Sequence, residues 1–111
     1  MSSPATTIVY LWLEDILGNN IITNAKLSCF GGSFKYGTNF VTQNHRSTTF
    51  DANGYAQLQV IETQTPGVYY NFSVTYPVNA TTTQLNFNPV MVPNQGAVNL
   101  CSIATIKGST A

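Results

Sequence analysis

Charge is scarce in this chain of 111 residues: four Lys or Arg and four Asp or Glu make up 7% of it, against about 25% in an average soluble domain. Formal net charge is zero and the basic residues are dispersed, so a nucleic-acid backbone finds no electrostatic footprint, which speaks against DNA or RNA as partners. Polarity comes instead from Thr, Asn, Ser and Gln. β-branched Thr suits strands and Asn suits turns, while the strong helix formers are few, which predicts an all-β fold. A surface so poor in charge also opposes association weakly.

Long apolar runs are missing too. The longest near the N-terminus, 8–13, is shorter than a secretory h-region and far short of the roughly 20 residues of a membrane span. The expectation is a protein made in the cytoplasm, with no membrane partner, that leaves the cell, if at all, within a particle. Histidine occurs once, at His45, and cysteine twice, at Cys29 and Cys101. These have no ligand-like spacing, so no metal and no cofactor are expected. Without an export signal two unpaired, buried thiols are expected rather than a disulfide.

Catalytic groups are equally thin. His45, with Ser28, Ser47 and Asp51 as the available relay partners, is surrounded by nothing resembling a nucleophile elbow. Glu14 with Asp15, and Glu62 with Asp51, read as solvated carboxylates. Asp51-Ala52-Asn53-Gly54 matches half of a calcium loop but lacks the bidentate Glu that closes one; it reads as a tight turn. A non-enzyme is expected.

What is present is alternation. An arm over 1–6 precedes a strand predicted over 8–16, with Val9, Leu11 and Leu13 on one face and Ile8, Tyr10 and Trp12 on the other. Both faces are apolar, so Tyr10 and Trp12 either close the core or meet a partner. Ala25, Leu27 and Cys29 alternate with Lys26 and Ser28 in a half-buried strand. The segment 31–44 carries three glycines and the aromatics Phe34, Tyr36 and Phe40 with poor alternation, and is predicted to be a long loop or irregular edge; loops of that kind carry function. A short strand over 45–50 enters the turn at 51–54. Beyond it Ala56, Leu58 and Val60 face inward, then a turn at 63–67 leads to a long strand, 68–76, with Tyr70, Phe72, Val74 and Tyr76 on its core face. A polar connection over 77–83 precedes a strand over 84–91 with Leu85 and Phe87 inward, interrupted by Pro89. A last strand, 97–103, has Val98 and Leu100 on one face, which sets Cys101 on the other and weakens the case for its burial. About seven strands with regular turns predict a two-sheet antiparallel β-sandwich, a single domain over 7–106 followed by a patternless tail over 107–111.

The stretches DILGNNIITNAKL (15–27), FDANGYA (50–56) and PGVYYNF (66–72) occur in that order. Together they resemble the transthyretin-like and bacterial Ig-like β-sandwich modules. The closing stretch FNPVMVPNQGAVNL (87–100) is similar to the end of such modules in tailed-bacteriophage structural proteins. That resemblance implies a non-enzymatic virion protein. With no coiled coil or shaft repeat following the module, the expected role is a capsid decoration, or cement, subunit that stabilises a phage head. Its expected partners are the major capsid protein, other virion proteins and further copies of itself, with the capsid surface as its location. The alternative is a tail-fibre or baseplate adhesin that stacks loop aromatics such as Tyr36 and Phe40 on a host glycan. Candidate interaction residues are Tyr10, Trp12, Phe34, Tyr36 and Phe40.

Overall fold

A computed structural model describes residues 5–17, 24–42, 44–78 and 81–110. The predicted segments at 1–4, 18–23 and 79–80 lie outside the described residues. Among the described residues ten strands and two short helices follow one another: β1 (Thr6–Trp12), α1 (Leu13–Leu17), β2 (Lys26–Gly31), β3 (Phe34–Tyr36), β4 (Asn39–Val41), β5 (Asn44–Thr49), β6 (Tyr55–Ile61), β7 (Asn71–Val78), β8 (Thr81–Phe87), β9 (Ala97–Asn99), α2 (Leu100–Ile103) and β10 (Ile106–Thr110).

The expected all-β sandwich is present. One sheet has three strands in the order β6-β1-β9, the other five in the order β10-β8-β7-β2-β5, and β3-β4 forms a small hairpin. Pairing is antiparallel except between β1 and β9, which run parallel with Val9 opposite Val98. Residues alternate across a strand, so each sheet turns one row inward. Val9, Leu11, Ala56, Leu58, Val60 and Val98 from the first sheet meet Leu27, Cys29, Phe72, Val74 and Phe87 from the second in one buried cluster. At about 25 cal/mol per Å² of apolar surface removed from water, this shared layer is the main stabilising contribution.

The turn at 51–54 passes the chain from one sheet to the other, because β5 edges the five-stranded sheet and β6 edges the three-stranded one. Asp51 makes it: its Oδ1 accepts from the backbone N of Asn53 at 2.9 Å and of Tyr55 at 3.0 Å. Gly54 sits at φ 76, where a Cβ would be strained. The Gly54 carbonyl then accepts from Leu13 N at 2.8 Å, while Phe50 N donates to Ala25 O at 3.0 Å. Each sheet's ladder thus extends by one bond into the turn.

Several expectations change. The first strand stops at Trp12 and the chain coils into α1, although Leu13 still points into the core. Within the segment 31–44, Gly31 ends β2, residues 34–41 form an ordered hairpin, β3-β4, that turns at Gly37 (φ 63), and Asn44 starts β5, residue 43 lying outside the described residues. β7 starts at Asn71 rather than Val68; ahead of it Tyr70 makes an isolated bridge to Val90. It continues through Val78, and Thr81 already belongs to β8, so the connection there is shorter than 77–83. The last predicted strand ends at Asn99, whose side chain accepts from Cys101 N at 2.9 Å and caps α2. That coil leaves Cys101 exposed, so the expected pair of buried thiols becomes one buried and one surface thiol, both unpaired. The supposed tail is β10, hydrogen-bonded to β8 with a register shift between Ile106 and Gly108.

Candidate functional site

The outward row of the three-stranded sheet holds Thr6, Ile8, Tyr10 and Trp12 on β1, Tyr55, Gln57, Gln59 and Ile61 on β6, and Ala97 and Asn99 on β9. None of these ten side chains is ionisable except the two tyrosines. The register places Trp12 directly opposite Tyr55 and Tyr10 opposite Gln57, so Tyr55 lies across from one aromatic and diagonal to the other. Directly opposed and diagonal residues are the pairs whose side chains meet on a sheet face. The Trp12 and Tyr55 rings lie 4.6 Å apart at 52°, and Tyr10 and Tyr55 6.1 Å apart at 34°, within the range of favourable tilted aromatic contacts. Amides surround the cluster. Tyr55 donates its hydroxyl to Gln57 Oε1 at 3.0 Å, and Gln59 Nε2 donates to Thr6 Oγ1 at 2.9 Å. Trp12 keeps 36% of its surface exposed.

The other candidates separate. Phe34 is buried, its ring centroid 6.3 Å from that of Tyr70, and belongs to the core. Tyr36 is half-buried and donates its hydroxyl to Glu62 Oε1. Phe40, 65% exposed on β4, stands apart from the Tyr10–Trp12 cluster on its own small hairpin. The five residues therefore do not form one site; Tyr10 and Trp12 do meet, through Tyr55, which the sequence reading left out. Tyr55 follows the turn glycine and shares parity with Gln57 and Gln59, the signal that places it outward.

Glu62 overturns the expectation of a solvated carboxylate: it has no solvent exposure. Burial is the largest single influence on its ionisation and opposes it, but hydrogen bonds from the Thr65 side chain, the Tyr36 hydroxyl and the backbone N–H groups of Thr65 and Gln64 outweigh it. They hold the carboxyl below its ordinary value. Around it, Thr63 Oγ1 accepts from Val92 N at 2.7 Å and Thr7 Oγ1 donates to Pro93 O at 2.7 Å. This polar cluster fastens the start of β1, the end of β6, the hairpin and the 92–95 segment together; its centre, Thr7, Glu62 and Thr63, is buried, which suits support rather than binding.

Two of the groups considered for catalysis and metal binding are engaged elsewhere. The Asp51 carboxylate is engaged by the turn, and the His45 ring stacks on Phe30 at 4.3 Å and 13°. Among the described residues, no three of His, Cys, Asp and Glu gather as metal ligands, and no helix is long and apolar enough to cross a membrane. No known protein family matches the chain, and comparisons with curated proteins and with solved structures find no significant match.

Proposed function

We propose that this protein is a non-enzymatic structural subunit of a bacteriophage particle, a capsid decoration protein that docks through the outer face of its three-stranded sheet. The observation that carries the docking surface is the Trp12–Tyr55–Tyr10 cluster on a face without fixed charge. Tyr and Trp are the residues that supply most binding energy at protein interfaces, and charged side chains are depleted at the centre of such patches. The amides and hydroxyls of Gln57, Gln59, Thr6 and Asn99 provide the polar rim. The virion context rests on the resemblance of residues 87–100 to the end of such sandwich modules in tailed-phage structural proteins, with 15–27, 50–56 and 66–72 resembling transthyretin-like and bacterial Ig-like modules, and it names the partners: the major capsid protein, a neighbouring virion protein, or a second copy of this chain.

The test is reconstitution. Purified protein added to phage shells that lack it is expected to bind at high copy number and raise their resistance to heat, and a Trp12→Ala, Tyr55→Ala double variant is expected to do neither. Failure of the unsubstituted protein to bind shells, or labelling that locates it on the tail at low copy number, overturns the capsid assignment.

A further inference from the structure

The outer face of the five-stranded sheet carries a second surface of different chemistry. Its outward row contains Phe30 on β2, Asn71 and Ser73 on β7, and Gln84 and Asn86 on β8, as the registers Phe30↔Asn71, Ser73↔Asn86 and Thr75↔Gln84 require. With Pro89 these residues line a groove of about 400 Å³. Farther along β7 a second depression, of about 280 Å³, lies beside Thr75 and Lys26. None of the six residues named for the 400 Å³ groove is charged, whereas Lys26 beside the second depression is.

Phe30 is 43% exposed. His45, opposite it on β5, stacks on the ring, while the groove borders the ring from the β7 side. One ring face is therefore covered and held, and the other is offered to the groove. Gln84 Nε2 donates to Asn86 Oδ1 at 2.7 Å, which fixes both amides and leaves Gln84 Oε1 as an acceptor beside the Asn86 Nδ2 donor. Ser73, nearly buried, forms the floor.

From this arrangement we infer that the groove binds a neutral pyranose oligosaccharide. A pyranose has a face of axial C–H bonds, weakly positive, which seats on the negative face of an aromatic ring. Its rim of hydroxyls both donates and accepts, matching amides that offer one donor and one acceptor side by side. A pre-formed cleft with an apolar wall and a few fixed polar groups is the usual form of a small-ligand site. The absence of charge at the groove favours an uncharged sugar over a sulfated, sialylated or phosphorylated one. A peptide strand would pair at a sheet edge rather than across a face. The outward row of β7 runs on from Ser73 to Thr75 beyond the groove, which favours an oligosaccharide over a single ring. This inference does not depend on the docking role, which uses the opposite face of the sandwich.

The experiment is a glycan array carrying neutral, sialylated and sulfated oligosaccharides, followed by calorimetric titration with the strongest neutral binder. Neutral glycans are expected among the hits. Phe30→Ala and the Gln84→Ala, Asn86→Ala double variant are each expected to weaken binding at least about tenfold with thermal unfolding still cooperative, while Phe30→Tyr retains binding. Trp12→Ala, on the opposite face, is expected to leave binding unchanged. No neutral hit, hits confined to anionic glycans, or neutral binding indifferent to Phe30 and to the two amides overturns the inference.

Discussion

The hydroxyl of Tyr36 donates to Oε1 of Glu62, so the β3-β4 hairpin is anchored to a carboxylate buried just beyond the end of β6. Ala5 N reaches the same hydroxyl at 3.4 Å and Thr65 N reaches Oε2 at 3.0 Å. This ionised group holds the small hairpin alongside the buried side chains of Phe34 and Val41.

Tyr36→Phe removes that donor and leaves the carboxylate short of a partner. Hydrogen bonds to charged groups contribute about 1.5–3 kcal/mol, and a loss of that order is expected in urea unfolding at neutral pH.

The folded-state pKa of Glu62 is lowered from 4.5. Its contribution to stability is therefore fully present above that ordinary value and is lost as pH falls through the folded-state value. Melting temperature is expected to drop on acidification below about 4.5, and Glu62→Gln is expected to flatten that acid limb while lowering stability at pH 7. An unchanged acid limb in the variant counts against Glu62 as its origin.

Gly31 lies under the ring of Tyr70. A Cβ at this position would stand 2.5 Å from Tyr70 Cε1 and 2.7 Å from Cδ1, and the ring, 1% exposed, has nowhere to retreat. Gly31→Ala is expected to cost about 1–3 kcal/mol, the usual penalty for overpacking, read as a lower denaturation midpoint.

The thiols differ. Burial pushes Cys29 up to about 12, only partly offset by the nearby Arg46 guanidinium. Cys101 is raised by partial desolvation and by Asp15, but is exposed. An aromatic disulfide reagent at pH 8 is expected to modify Cys101 in the folded protein and Cys29 only after denaturant is added, because the thiolate is the reacting form.

Asp51→Ala removes two side-chain bonds from the turn that joins the sheets. About 1 kcal/mol is the expected loss, while Asp51→Asn, which keeps an acceptor oxygen, is expected to retain most of the stability. Gly54→Ala, at positive φ, is expected to destabilise through backbone strain.

Inward rows were legible in the sequence wherever the alternation ran for three or more positions: Val9 and Leu11, Leu27 and Cys29, Ala56 through Val60, Phe72 and Val74 all point where their parity sets them. The same parity sets Tyr10 and Trp12 outward. Continued one step past Val60, it also puts Glu62 on the buried row, a signal overridden by the expectation that carboxylates stay in water. β3 and β4 escaped because three residues hold too little alternation to separate strand from loop, and β9 lies inside the strand expected over 97–103, whose end the alternation overruns. α2 carried a local mark, Asn99 as an N-cap before an apolar residue, masked by Val98 and Leu100 reading as strand. Strand pairing stayed hidden for a different reason. Nothing local in β1 specifies β9 as a neighbour, and nothing local in β2 or β8 brings Phe30 and Asn86 to one groove; both depend on which strands lie side by side.

β1 is the middle strand of its sheet, between β6 and the parallel β9 near the far end of the chain. During synthesis it therefore waits with one edge open until residues 97–99 have emerged, and closing so long a loop is the slow kind of β-pairing. Until β9 emerges, the open edge of β1 is exposed to mispairing. The sheet closes only once β9 is available, and a series of stalled chains ending on either side of Val98 is expected to show protease resistance appearing only in the longer ones.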